Sequence, residues 1–231
     1  MKNEFKINNK VINIYISNVS NKDLPLVILN SYSSENKAIL ENLKKLNCHD
    51  YALAIVSNLN WNDDMTPWEA PNLTKKEPAF KGKADNYLNE LINNIIPKIK
   101  EYLKSVNIEI KEYIIAGYSL AGLFAIYSAY KTDVFAKIVS ASGSLWYPNF
   151  LNFVKENDIS KSITKIYLSL GSKESKTKNE TLKIVETNTK EIEKIYKNKN
   201  INTIYEENEG NHFQDAPLRI AKGIKWILEG K

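Results

Sequence analysis

Between two apolar runs the chain carries one serine, in the stretch Ile114-Ile115-Ala116-Gly117-Tyr118-Ser119-Leu120-Ala121-Gly122-Leu123. The apolar residues before it predict a buried strand, and those after it predict a helix. A residue held at positive φ on so tight a turn brings its backbone against the residues two before and two after it, so both must be small. Gly117 meets this requirement, and Ala121 is the least damaging replacement for a second glycine. The stretch therefore predicts a sharp strand-to-helix turn at Ser119, although Ser119 as a simple helix cap is the alternative.

Short apolar runs elsewhere in the chain are typical of strands buried in a parallel sheet. The predicted strands cover residues 26–29, 51–56, 113–116, 137–141, 165–170 and 201–205. Before them, residues 4–7 and 11–17 alternate around Asn8-Asn9-Lys10 and predict an opening hairpin. Ser119 therefore follows the fifth of eight predicted strands.

Helical periodicity separates these strands. Predicted helices cover residues 35–46, 85–103, 120–130 and 216–228, and a further helical face carries Leu182, Val185, Ile192 and Ile195. Pro97 should kink or interrupt the second of them. Strands that alternate with such helices imply an α/β fold with a mostly parallel central sheet of about eight strands and helices on both faces. We find no repeat or linker, so we expect one domain over residues 1–231.

Composition excludes several classes of protein. Of 231 residues, 43% are hydrophobic and 26% charged, close to the averages of globular domains. The net charge of +5 comes from scattered lysines and a single arginine, Arg219, so we expect no nucleic-acid partner. No apolar run is long enough to span a bilayer, and the first residues do not resemble a secretory signal. We therefore expect no membrane partner. One cysteine, Cys48, allows no disulfide within the chain, so the chain is expected to be cytoplasmic.

The base that a serine nucleophile needs is usually a histidine, and the chain has only two. Ligands of open α/β sheets bind beyond the carboxyl ends of the strands. His212 follows the eighth predicted strand and is the candidate base, whereas His49 lies at the amino end of the fourth strand. Glu174, after the seventh strand, is the candidate acid that orients the imidazole, and Asp215 is the second candidate.

Three stretches resemble a known family. The segment around Ser119 resembles the nucleophile elbow, G-x-S-x-G, of the α/β-hydrolase superfamily. Ser142-Gly143-Ser144-Leu145-Trp146-Tyr147 and Asn62-Asp63-Asp64-Met65-Thr66-Pro67-Trp68 resemble segments of the esterase family that includes enterochelin esterase and esterase D. The resemblance extends over residues 24–226 and implies the α/β-hydrolase fold with a nucleophile, acid, histidine order. It also implies substrates such as siderophore esters, S-formylglutathione or simple acyl esters, and some relatives work as a Ser-His dyad without an acid.

Two further parts of the site follow from strand ends. The backbone N–H of Leu120 should receive the oxyanion, together with a second N–H from Ser31 or Tyr32 in the turn after the third strand. Aromatic residues past strand ends are expected to line the substrate pocket, although packing on the sheet would explain them equally well. These pocket candidates are Trp61, Trp68, Trp146 and Tyr147.

Chain lengths limit what can cover this pocket. Only about twenty residues follow the sixth strand before the next one begins, so no large lid domain fits there. Residues 57–83 are the remaining cover, and their length suggests a functional loop. Asp63 and Asp64 are adjacent, and the histidines and cysteine are too few for a zinc cluster, so no metal and no cofactor is expected.

The sequence thus predicts a serine hydrolase that cleaves small carboxylic esters through an acyl-enzyme intermediate. A thioesterase or acyltransferase would use the same residues with another substrate or acceptor. A binding protein that keeps the fold without catalysis is the alternative from another class. The sequence leaves the substrate and the oligomeric state open.

Overall fold

A computed structural model describes residues 2–17, 22–33, 36–73 and 78–229. The strands in these ranges are β1 (Lys2–Ile7), β2 (Lys10–Ile16), β3 (Asp23–Asn30), β4 (Ala52–Ser57), β5 (Glu69–Ala70), β6 (Phe80–Lys81), β7 (Glu109–Tyr118), β8 (Lys137–Ala141), β9 (Lys165–Gly171) and β10 (Asn202–Asn208). The α-helices are α1 (Lys37–Lys45), α2 (Trp61–Asp64), α3 (Ala84–Glu90), α4 (Ile96–Ser105), α5 (Leu120–Ser128), α6 (Phe150–Glu156), α7 (Val185–Asn198) and α8 (Ala216–Leu228).

Eight strands form one sheet in the order β1-β2-β4-β3-β7-β8-β9-β10. All neighbours from β4 to β10 are parallel, whereas β1 pairs with β2, and β2 with β4, in antiparallel fashion. The short strands β5 and β6 make a separate ribbon. The predicted opening hairpin and the mostly parallel sheet of eight strands are therefore confirmed.

Both faces of the central strands are buried, which explains why these strands read as continuous apolar runs. Successive side chains of a strand point to opposite faces. In β3, Val27 and Leu29 pack in the core beneath α1 and α8, while Leu26 and Ile28 pack in the larger core that contains α3, α4 and α5. Helices on both faces are thus confirmed.

The helix predicted over residues 85–103 is interrupted, as Pro97 implied. A π-helical turn, Leu91–Ile95, lies between α3 and α4. Pro97 occupies the first turn of α4, where a missing N–H costs no intrahelical hydrogen bond. The break therefore comes one turn before the proline rather than at it.

Two segments contain elements too short to give a periodic pattern. Residues 57–83 hold α2 and the β5–β6 ribbon, and the described chain between β8 and β9 holds only α6, so no large lid is present there. The predicted helix start at residue 35 lies outside the described residues. Among the helices that the structure describes, none is long and apolar enough to cross a membrane.

Candidate active site

Ser119 lies on a sharp corner between β7 and α5. Its φ of 58° and ψ of −125° are a strained conformation for a residue other than glycine, and the predicted positive φ is confirmed. A Cβ atom at Gly117 would lie 2.2 Å from the backbone of Ala121, which is why the residue two before the serine must be glycine. The Ser119 side chain makes no capping hydrogen bond to α5, so the helix-cap alternative does not account for it.

The structure brings Ser119, His212 and Glu174 together. His212 Nε2 lies 3.0 Å from Ser119 Oγ, and His212 Nδ1 lies 2.7 Å from Glu174 Oε2. His212 follows β10 and Glu174 follows β9, so both approach Ser119 from the carboxyl ends of neighbouring strands. With a proton on Nδ1 shared with the carboxylate, Nε2 is free to accept the hydroxyl proton of Ser119.

Glu174 is buried, and its hydrogen-bond partners keep it ionised. Burial by itself would raise the pKa of its carboxyl, but the hydrogen bond and charge of His212 lower that pKa below its ordinary value. The Gly171 N–H donates a further hydrogen bond of 2.6 Å to Glu174 Oε1. The side chain is only 4% exposed, so this carboxylate acts on the imidazole with little screening by water.

The other two titratable candidates lie elsewhere. Asp215 begins α8 with a φ of 54°, and its carbonyl accepts hydrogen bonds from the Leu218 and Arg219 N–H groups. The carboxylate beside the imidazole is therefore Glu174. His49 is exposed and precedes the amino end of β4, whereas the site lies at the carboxyl ends of the strands. Cys48 next to it is buried, and this burial raises the pKa of the Cys48 thiol to about 11.

Of the three candidate oxyanion donors, two remain and one is excluded. Leu120 is the first residue of α5, so its N–H has no acceptor within the helix. The Ser31 N–H donates a 2.9 Å hydrogen bond to the Val56 carbonyl and is thereby committed to the sheet. Of the two alternatives for the second donor, Ser31 is wrong for this reason, and Tyr32 is the one that remains.

A second hydroxyl, missed by the sequence analysis, lies beside the first. Ser144 Oγ is 3.3 Å from Ser119 Oγ, and the Ser144 N–H donates to the Ser119 carbonyl at 3.0 Å. When Ser119 donates its one proton to His212, the hydrogen bond between the two hydroxyls must run from Ser144 to Ser119 Oγ. The only signal in the sequence was its place in the Ser142–Tyr147 segment that follows β8.

Above Ser119 opens a cavity of about 830 Å³. The side chains that line it include Tyr32, Trp61, Leu73, Phe80, Lys81, Ser144, Trp146, Leu182, His212 and Phe213. Two pocket candidates, Trp61 and Trp146, are among them. Residues 59–63, 73 and 78–81 supply much of the wall, so the described part of the long segment borders the cavity as its length suggested.

The other two pocket candidates, Trp68 and Tyr147, were wrong. Both pack in the core next to the cavity rather than lining it: Trp68 Nε1 donates to the Pro148 carbonyl at 2.9 Å, and the Tyr147 hydroxyl donates to the Trp68 carbonyl at 2.6 Å. Trp68 also contacts the rings of Phe150 and Phe153. Packing on neighbouring aromatic residues explains these two side chains.

The adjacent carboxylates of the sequence have structural partners. Asp63 pairs with Lys83 at 3.1 Å, and Asp64 pairs with the buried Lys10 at 3.6 Å. In residues 2–17, 22–33, 36–73 and 78–229, no group of three or more His, Cys, Asp or Glu side chains could hold a metal ion. The absence of a cofactor from the reaction stays a prediction.

The fold and the site together define a class of protein. A mostly parallel eight-stranded sheet with a serine on the strand-to-helix turn of β7, followed along the chain by an acid and then a histidine, is the arrangement of the α/β hydrolases. The family model described as "Putative esterase" matches residues 31–216. The chain belongs to this esterase family, which places it among the hydrolases that act on esters.

Similar proteins include one curated sequence and many solved structures. "Uncharacterized protein YbbA" of Bacillus subtilis (strain 168) is 30% identical over 138 residues, which are 59% of this chain and 55% of YbbA, so the match spans about half of that relative. Siderophore hydrolase EstB from Aspergillus nidulans has a TM-score of 0.78 at 17% identity, over 96% of this chain and 93% of EstB. An IroE-like serine hydrolase from Shewanella oneidensis has a TM-score of 0.78 at 16% identity, over 98% and 79% of the two chains. At these identities the two structures establish the common fold.

Proposed function

We propose that this protein hydrolyses carboxylic esters of small molecules through an acyl-enzyme intermediate, with Ser119 as the nucleophile. The observation that carries the proposal is the unbroken series of hydrogen-bond distances from Ser119 Oγ to His212 Nε2 and from His212 Nδ1 to Glu174 Oε2. Ser119, at the start of this series, lines the cavity, where a substrate carbonyl can reach the hydroxyl. This is the geometric relation that a nucleophile, its base and an orienting group require.

In the first half of the reaction, Ser119 Oγ attacks the ester carbonyl while His212 Nε2 takes the hydroxyl proton. The carbonyl oxygen becomes an oxyanion, which the Leu120 N–H and the Tyr32 N–H stabilise. Glu174 holds the imidazole with its proton on Nδ1 and stabilises the imidazolium. When the tetrahedral intermediate collapses, the bond to the alcohol oxygen breaks, His212 returns the proton to that oxygen, and the alcohol leaves.

In the second half, water replaces the alcohol. His212 takes one proton of the water, whose oxygen attacks the acyl carbonyl. The bond to Ser119 Oγ then breaks, and the proton passes from His212 to the serine. The products are the alcohol and the carboxylic acid, and the enzyme returns to its initial state.

The cavity supports a substrate with an apolar or aromatic part. Its wall carries the rings of Tyr32, Trp61, Phe80 and Trp146, and its volume of about 830 Å³ is large enough for a drug-sized molecule. Because EstB is named a siderophore hydrolase, siderophore esters are the first natural substrates to test, after simple aryl esters.

A fluorophosphonate probe tests the proposal directly. Wild-type protein should be labelled and should hydrolyse p-nitrophenyl esters, whereas Ser119→Ala should do neither. Ser105→Ala, which removes an exposed hydroxyl bonded only to a nearby carbonyl, is the matched control and should behave like wild type. Folded wild-type protein that is neither labelled nor active would instead support the binding role.

Product analysis separates hydrolysis from acyl transfer. Hydrolysis of an ester gives the free acid at a rate independent of added alcohols or amines. If an added acceptor carries most of the acyl group, the protein is an acyltransferase. A higher kcat/KM for thioesters than for matched oxygen esters would identify a thioesterase.

A further inference from the structure

We infer that Arg219 is the positioning residue of the proposed site: it holds Glu174 and the loop that carries His212 in the arrangement that brings the imidazole to Ser119. This inference rests on the proposed function. Arg219 belongs to α8 and is only 1% exposed. It is the one arginine of a chain with 32 Lys and Arg residues, and it is not among the residues that line the cavity.

The guanidinium binds both the acid and the backbone next to the base. Nη1 donates to Glu174 Oε1 at 3.0 Å. Nη2 donates to the carbonyl of Glu209 at 2.8 Å and to the carbonyl of Asn211, directly before His212, at 3.0 Å. One rigid group thus sets the distance between the carboxylate after β9 and the loop after β10.

Arg219 also connects to the strands on the nucleophile side. Nη1 also lies 3.0 Å from Ser142 Oγ and 3.3 Å from the Tyr118 hydroxyl, so its two protons are shared among these two oxygens and Glu174 Oε1. The Tyr118 hydroxyl in turn donates to the carbonyl of His212 at 2.6 Å. The residue directly before Ser119 therefore holds the histidine backbone through the same network.

The surrounding backbone is shaped to admit this side chain. A Cβ atom at Gly171 would lie 2.4 Å from the Gly210 carbonyl oxygen and 2.8 Å from both Nη1 and Nη2 of Arg219, so a larger residue there would displace the guanidinium and the loop before His212 together. Ser142 has a φ of 45°, an uncommon backbone conformation for serine, and in it the hydroxyl accepts from Nη1. Small or strained residues on two strand ends thus accommodate one guanidinium.

Lysine could not make these contacts. The four N–H groups of Nη1 and Nη2 face five acceptors in different directions, whereas an ammonium has three donors around one point. The buried Nε of Arg219 has no hydrogen-bond partner in the described part of the chain, which costs free energy. A buried ion pair is weak evidence for a role in stability. An arginine with an unpaired buried Nε therefore fits a role in geometry better.

A double-mutant cycle separates positioning from general stability. Arg219→Met should lower kcat for a p-nitrophenyl ester about 100-fold with KM nearly unchanged, since a displaced imidazole affects the chemical step. In the His212→Ala background, where the imidazole is gone, adding Arg219→Met should change the residual activity less than about threefold. Lys222→Met removes an ion pair from the same helix and should behave like wild type.

A spectroscopic measurement reports the same geometry without turnover. The Nδ1 proton of a histidine bonded to a carboxylate gives a low-field proton resonance, and the chain has only one other histidine, the exposed His49. This resonance should be present in wild type and in Lys222→Met. It should shift or disappear in Arg219→Met and Arg219→Lys.

Tyr118→Phe keeps the inference testable if the Arg219 variants do not fold, because it removes two bonds of the network without leaving a buried charge. Its loss of kcat, about tenfold, should likewise vanish in the His212→Ala background. Equal losses in both backgrounds, or an unchanged Nδ1 resonance, would overturn the positioning role. If instead Ser119→Ala remains as active as wild type, the proposed function itself fails.

Discussion

Glutamine in place of Glu174 would remove one charge and keep the shape of the side chain. Oε1 of the carboxylate accepts from the Gly171 N–H at 2.6 Å and from Arg219 Nη1 at 3.0 Å, while Oε2 faces His212 Nδ1 at 2.7 Å. Because two donors converge on Oε1, the amide oxygen should take that place, and the amide NH2 should face the imidazole. His212 must then carry its proton on Nε2, where it can no longer accept the proton of Ser119.

The reverse orientation of the amide would restore the active tautomer at a cost. It gives up one hydrogen bond to a neutral donor, about 0.5–1.5 kcal/mol, and one to a charged donor, about 1.5–3 kcal/mol. At 1.36 kcal/mol for each factor of ten, the active form would make up roughly one part in 30 to one in 2,000. The lost stabilisation of the imidazolium adds to this, so kcat/KM should fall by about 1,000-fold or more.

The assay is hydrolysis of a p-nitrophenyl ester at neutral pH, with the folded fraction measured by circular dichroism. Glu174→Ala removes the acceptor without presenting a donor, so it should keep more activity than Glu174→Gln. Glu101→Gln, on an exposed ion pair with Lys98, is the matched control and should equal wild type. Activity of Glu174→Gln within tenfold of wild type would refute the argument that the carboxylate selects the tautomer.

The same carboxylate should make stability depend on pH. A group whose pKa is lower in the folded state stabilises the fold above its ordinary pKa, and this contribution is lost as the pH falls through the folded-state value. For Glu174, the ordinary value is 4.5 and the pKa in the folded protein is lower. The difference in the free energy of unfolding between wild type and Glu174→Gln should therefore be largest near neutral pH and shrink below 4.5. Denaturant titrations across this range test it, and a constant difference would contradict it.

Three other changes test the turn, the cavity and the oxyanion donors. Gly117→Ala should destabilise the fold by at least about 2 kcal/mol in thermal or denaturant unfolding, because the new Cβ would lie 2.2 Å from the backbone of Ala121; an unchanged unfolding midpoint would contradict this. Trp61→Ala should raise KM about tenfold and leave kcat nearly unchanged, because its ring forms part of the cavity wall; steady-state kinetics that show a loss in kcat alone would refute it. Tyr32→Pro, which lacks the backbone N–H, should lower kcat about 100-fold, whereas Tyr32→Ala keeps that N–H and most of the activity; equal rates for the two variants would rule out this donor.

The strands of the main sheet and the helices that cover it could be predicted, because burial produces apolar runs in the strands and an apolar face of period 3.6 in the helices. The predicted strand over residues 137–141 and the helix over 216–228 coincide with β8 and α8. The turn at Ser119 was predictable for a local reason, since Gly117 is needed to avoid a clash four residues further on. Short elements such as α2 and α6 were not found, because fewer than two or three turns give no clear period.

Several parts of the site could not be predicted from the local sequence pattern. The polar turn after β3 offered Ser31 and Tyr32 equally, and only pairing with Val56 in β4 excluded the first. Aromatic residues past strand ends gave no information on the direction of their rings, so Trp68 was assigned to the cavity although it packs against neighbouring aromatic side chains.

By itself, the amino-acid sequence determined the succession of the main strands and helices along the chain and the corner at Ser119, since these depend on burial period and on steric conflict between near neighbours. It also singled out His212, because only one of the two histidines follows the carboxyl end of a predicted strand. Only the tertiary structure decided that Glu174 rather than Asp215 contacts His212, and that Arg219 joins the two. The physical reason is that these contacts join segments 38 and 45 residues apart. Which side chains meet there depends on the order of strands in the sheet and on the direction in which each loop leaves it.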